Sequence, residues 1–127
     1  MEAKNFRVGN LIYNDRIVNA IIFIGFDSVQ LITPQGNNIT ARLDLIKPIP
    51  LTEKELIKFG INKYSDNHYI LDILHRSRIH FYTEKDKVNV ELGNKSGYSF
   101  GFPKVEYVHE LQNLFFALTG KELKKQK

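Results

Sequence analysis

Near the end of the chain, Tyr107, Val108, Leu111, Leu114, Phe115 and Leu118 recur at helical spacing and form one apolar stripe. Thr119-Gly120 follows as a stop, with glycine suited to a left-handed cap. Such a helix has a face to bury, and the rest of the fold must supply its cover. The opposite face carries His109, Gln112 and Asn113, and Phe116 breaks its polar pattern. Two arrangements follow. The helix is clamped between two parts of the fold, with Phe116 packed inside. Or it covers one part and offers Phe116 to a partner, with His109, Gln112 and Asn113 around it. A single Phe seldom makes an interface alone, so the buried arrangement is the expectation. His109 is expected to hydrogen-bond a neighbouring loop or strand.

The first fifty residues read as short strands joined by turns. Arg7–Tyr13 passes through a Gly-Asn turn signal into an apolar run, and Asn14-Asp15 marks a second turn. Ile17–Ile24 is rich in Ile and Val and stops at Gly25. Val29–Thr33 alternates, Pro34–Asn38 is a loop tip, and Ile39–Leu45 reads as one more strand. Short strands about ten residues apart suggest a small barrel or a strongly curved sheet. Their succession resembles that of a Src-homology-3-like barrel. Pro48 and Pro50 end this region, because proline cannot donate to a ladder.

Leu51–Ile61 predicts a short helix. Thr52 is its N-cap, Glu55 completes a capping box, and Leu51 and Leu56 stand at the staple positions. Gly60 is placed for the C-terminal cap. Tyr69–Leu74, Ile79–Thr83, Val88–Leu92 and Tyr98–Phe102 are then strand candidates. Tight connections at Lys85-Asp86 and Gly93–Gly97 imply antiparallel pairing. Phe81, Val88, Val90, Leu92, Tyr98, Phe100 and Phe102 would share one face of this sheet. His80, Tyr82, Asn89, Glu91, Ser99 and Gly101 would share the other. The expected fold is α+β: a small barrel-like lobe over residues 1–50, then an α+β lobe over 51–127. The second lobe holds the short capped helix, the antiparallel sheet and the C-terminal helix, and the two lobes share one core.

Three stretches form a set: Arg7-Val-Gly-Asn-Leu-Ile-Tyr13, Ile46–Glu53 with Lys58-Phe-Gly60, and Tyr107–Gly120. Together they resemble a family of small uncharacterised proteins of Bacteroides-group bacteria and their prophages. The resemblance carries over no activity and no catalytic residue. It implies a cytoplasmic accessory protein, and it admits a phage or mobile-element origin.

The charge needs dissecting before it suggests a partner. Lys121–Lys127 holds four of the 18 basic and one of the 14 acidic side chains. The other 120 residues hold 14 basic and 13 acidic, so the body is nearly neutral and the tail reads as frayed and solvated. With no cysteine there is no disulfide framework and no thiolate site. No apolar run reaches membrane-spanning length. No cofactor motif is present. His68, His75 and His80 match no metal-ligand spacing, so no metal is expected. The carboxylate pairs Asp27 with Asp44 and Glu84 with Asp86 are expected to be solvated rather than held in a cleft. An enzyme is therefore not expected. The leading expectation is a binding or regulatory module with a protein partner. The alternative is a weak, sequence-tolerant nucleic-acid binder, with Arg76, Arg78, His80, Tyr82, Lys85 and Lys87 interleaving basic and aromatic side chains on one hairpin.

Overall fold

The computed structural model describes residues 6–73, 76–85, 87–96 and 98–125, with Phe100 as backbone only. The chain is α+β, with two five-stranded antiparallel sheets, a short helix and a C-terminal helix. It divides into two compact units: Met1–Pro50 with Tyr107–Asn113, and Leu51–Glu106 with Leu114–Lys127. No helix among the described residues is long and apolar enough to cross a membrane.

In the first unit, β1 (Leu11–Asn14), β2 (Ile17–Ile24), β3 (Ser28–Ile32), β4 (Asn38–Arg42) and β5 (Ile46–Lys47) lie in the order β4-β3-β2-β1-β5. Among the described residues no ladder joins β4 to β5, so the sheet is open and not a closed barrel. The β1–β2 turn is built on Asp15 and Arg16, both at positive φ (51° and 67°). Such a primed turn matches the right-handed twist of the strands. The run expected as one strand to Leu45 breaks after Arg42 into a 3-10 turn, Leu43–Leu45. Period-two alternation buries Val29 and Leu31 and exposes Gln30 and Ile32. With Phe6, Ile12, Ile21 and Ile46 they form the core, and Ile24, Ile39, Ala41 and Leu43 pack against it. A register shift between Ile21 and Phe23 sets Phe23 opposite Gln30, on the outer face.

The second unit opens with α1 (Glu53–Lys58). Its C-terminal cap is a complete Schellman motif. Gly60, at φ 73°, donates its N–H to Ile57 O, and Ile61 N–H reaches Leu56 O at 3.1 Å. The other end differs from the expected capping box. Thr52 occupies the N-cap, but its side chain makes no cap bond. The carboxylate of the buried Glu55 faces Lys58 (3.4 Å) and Lys125 (3.2 Å) instead. The tail is therefore not frayed as far as Lys125: Leu123 is 8% exposed, and Lys125 also lies over the Phe59 ring.

The second sheet is a meander of β6 (Asn62–Ser65), β7 (His68–Asp72), β8 (Ser77–Glu84), β9 (Lys87–Asn94) and β10 (Ser99–Gly101). The apolar face is Tyr69, Ile79, Phe81, Val88 and Val90, all buried, with Leu92 half-buried. Two residues expected there are not. Tyr98 and Phe102 are 72% and 75% exposed, because β10 is short and its register shifts between Ser99 and Gly101. The expected end of β7 at Leu74 and the Phe100 side chain lie outside the described residues. β6 escapes the sequence pattern because all four of its residues are exposed and polar or aromatic.

The C-terminal helix, α2, spans Val108–Thr119. Tyr107 donates its N–H to Glu110 Oε1 at 3.1 Å, the reach-back half of a capping box. Gly120, at φ 73°, stops the helix as expected. The buried set is not the apolar stripe alone. Val108 and Leu111 are buried with His109 and Gln112, while Leu118 is 37% exposed.

Candidate functional site

The four residues expected to face a partner from α2 do not form one surface. Gln112 is 2% exposed and acts as a clamp on β1. Leu11 donates its N–H to Gln112 Oε1 at 2.8 Å, and Gln112 Nε2 donates to Gly9 O at 3.3 Å. β5 pairs only with Tyr13 and Asn14, so this amide continues the β1 edge where the backbone partner runs out. Asn113 Oδ1 accepts from the buried Asn10 (2.8 Å) and from Arg7 Nε (3.0 Å). Asn10 Oδ1 in turn accepts the Arg7 N–H. His109 is 1% exposed, its ring 4.7 Å from Phe6 and 5.9 Å from Tyr107. Its Nδ1 is buried without a hydrogen-bond partner among the described residues, where a bond to a loop or strand is expected of the ring. Burial pushes its pKa down, partly opposed by Glu110, so the imidazole is held neutral. Phe116 is 40% exposed, so it is not the buried core residue expected.

The second candidate surface is the open face of the second sheet. Cross-strand pairing sets Arg78 opposite Asp72, His80 opposite Ile70 and Glu91, and Tyr82 opposite His68 and Asn89. Arg76 precedes β8, and Lys85 and Lys87 are exposed around the β8–β9 turn. Of the six residues expected to hold nucleic acid, only Arg78, His80 and Tyr82 thus share this face. Pairing alone adds His68, for which the local sequence offers no signal. His68 Nε2 lies 3.0 Å from His80 Nδ1, within hydrogen-bond distance. The His68 ring also stacks on Tyr82 at 4.5 Å and meets the edge of Tyr64 at 5.0 Å. Burial and the neighbouring His80 push the His68 pKa down. Burial and Glu91 push Tyr82 up.

This face is poorly made for a polyanion. Arg78 donates to Asp72 at 2.8 Å, which holds that carboxyl below its ordinary range, and Lys95 stands 3.9 Å from the same carboxylate. The rings stack on one another, so the planes that would receive bases are already covered. Among the described residues no group of three or more His, Asp or Glu could hold a metal ion. His75 and Asp86 lie outside the described residues.

A third surface was not singled out from the sequence. The β2–β3 hairpin closes with Gly25 N–H donating to Ser28 O at 2.8 Å, which leaves Phe26 and Asp27 at the tip. Phe26 is fully exposed and Phe23 is 57% exposed. The Phe23 ring lies beside Gly25, 3.7 Å from where a Cβ would stand. Next to the tip is a cavity of ≈ 440 Å³ lined by Asp27, Ser28, Arg42, Leu43 and Asp44. The paired carboxylates Asp27 and Asp44 are both exposed, as expected of solvated groups, and both line this cleft. Arg42 binds Asp44 at 2.8 Å, and the Asp27 carboxylate has no such partner among the described residues. The missed signal was Gly-Phe-Asp, an aromatic residue where hairpin tips are usually polar.

Comparison with protein-family models, with curated proteins and with solved structures returns no match to this chain.

Proposed function

We propose that the protein is a non-enzymatic protein-binding module. Its first unit is read as a barrel-like sheet of Src-homology-3-like strand succession that presents the β2–β3 hairpin tip to a protein partner. The accessory role implied by the family resemblance fits such a module. The observation that carries the reading is Phe26, fully in water beside the half-exposed Phe23. Leaving a Phe side chain in water forgoes about 2–3 kcal/mol of burial. Aromatic side chains next to a pocket are the usual energetic centre of a protein interface. The nucleic-acid alternative lacks comparable support, because the basic side chains of the second sheet are offset by Asp72 and Glu91.

The test uses Phe26→Ser, which removes no packed contact of the fold. Cross-linking in the native host should join the intact protein to another protein, and the Ser variant should lose that product. Retention on single-stranded nucleic acid that falls with salt as phosphate contacts demand, unchanged by Phe26→Ser, would overturn the proposal.

A further inference from the structure

Among the described residues β4 is an open edge. It pairs there with β3 alone, in an unbroken register from Ser28 opposite Arg42 to Ile32 opposite Asn38. Two flanking bonds set the phase of this ladder: Leu43 N–H to Asp27 O and Thr33 N–H to Asn37 O, both 2.9 Å. By antiparallel alternation, Ile39 and Ala41 bond inward to β3. The N–H and C=O groups of Asn38, Thr40 and Arg42 then face outward, and no described residue takes them up. Sheet edges are normally blunted by proline, lysine or a bulge. β4 reads Asn-Ile-Thr-Ala-Arg and has none of these, and its one charge is already tied to Asp44.

The edge also leads somewhere. Where β4 ends at Arg42, the chain enters the 3-10 turn and the cavity lined by Asp27, Ser28, Arg42, Leu43 and Asp44. Arg42 and Asp44 cancel, so Asp27 leaves the cavity with one negative charge. Phe26 neighbours Asp27 on the same tip.

We infer that β4 receives an extended segment of the partner as a sixth strand, with a Lys or Arg of that segment in the cavity against Asp27 and an apolar side chain on Phe26. The inference rests on the protein-binding reading and names the partner's chemistry: an extended peptide that is cationic and apolar. Backbone bonds to the edge supply affinity whatever the sequence, while the cavity and Phe26 select side chains.

The probe is a displayed library of random decapeptides, selected on the full chain and followed by fluorescence polarisation of the enriched peptide. Enrichment of Lys or Arg together with apolar residues is expected. Thr40→Pro removes only an outward N–H, a change that edge strands tolerate. It should weaken the peptide about fivefold or more, the equivalent of one lost hydrogen bond. Asp27→Asn should weaken it by a similar factor. If Thr40→Pro does not melt like the parent, N-methylation of the peptide replaces it. Methyl groups in one alternate register should abolish binding, and in the other should leave it intact.

Peptides that bind Thr40→Pro and Asp27→Asn as tightly as the parent, or that are acidic, would overturn the inference and leave the protein-binding reading standing. No enriched peptide, with a dimer that Thr40→Pro dissociates, would show that a second copy takes the edge, which also overturns it. No enriched peptide and a monomer would overturn the inference, and the cross-linking result would then decide the wider reading separately.

Discussion

Gln112→Ala tests the clamp that joins α2 to β1. The side chain is 2% exposed and spends both ends of its amide on backbone groups, Leu11 N–H at 2.8 Å and Gly9 C=O at 3.3 Å. Alanine removes both partners at once. An unsatisfied buried polar group costs about 1–3 kcal/mol. Leu11 and Gly9 are each half-buried, so water can reach them in part, and the bond to Gly9 is long. The lower half of that range applies to each, for a total of about 2–4 kcal/mol. For a domain of this length 1 kcal/mol corresponds to roughly 3–5 °C, so Tm should fall by about 6–20 °C. Urea unfolding of the two chains, followed by circular dichroism, measures the difference directly. Phe116→Ala serves as the internal comparison. It deletes a larger apolar side chain but one that is 40% exposed, and should cost about 1 kcal/mol or less. A Gln112→Ala loss below about 0.5 kcal/mol, or one smaller than that of Phe116→Ala, would refute the bridging role.

Residues 1–50 expressed alone should not melt cooperatively, because Tyr107–Asn113 belong to that unit and supply the clamp and the ring against Phe6; a sharp native-like transition from this fragment would contradict that. Leu123→Ala should cost about 1–3 kcal/mol, since the side chain is 8% exposed near the end of the chain; an unchanged urea midpoint would mean the tail is frayed after all. Stability should fall as pH drops below about 6.5, the unfolded histidine value. His109 and His68 both have folded pKa values pushed down, so the unfolded chain binds more protons in that window, and their contribution is complete only above it. Urea midpoints at pH 7.5 and 5.5 check the sign, and a protein more stable at the lower pH would rule out a neutral His109.

Much of the fold was legible because it rests on local rules. The Schellman end of α1 follows from Leu56, Gly60 and Ile61, whose spacing satisfies the last carbonyls whatever surrounds them. β3 and the faces of β8 and β9 follow from period-two alternation of large apolar residues, and β2 from its run of Ile and Val up to Gly25. β6 was not legible, because Asn62–Ser65 is fully exposed and is held only by pairing with β7. The hairpin tip was overlooked for the opposite reason. Phe26 looks like core material in a string, and only its position in a two-residue turn places it in water.

The sequence alone determined most helices and strands and where they stop, β6 and the break after Arg42 apart, since capping, turn chemistry and alternation act within a few residues. Tertiary structure decided what the polar side chains do. His109, Gln112 and Asn113 read either as clamped inside the fold or as turned to a partner, and the string names no contact for them; in the structure His109 and Gln112 are buried, and Gln112 and Asn113 satisfy groups about a hundred positions away on Arg7–Leu11. Asp27 and Asp44 read as a solvated pair and are exposed, but they line one cleft because the β3–β4 register carries Arg42 and the 3-10 turn to the hairpin tip. His68 meets His80 and Tyr82 only through the pairing of β7 with β8. An apolar residue reveals its fate through its period, because burial repeats along a regular element. A polar residue is buried only where a partner waits to satisfy it, and that partner is set by how distant segments meet.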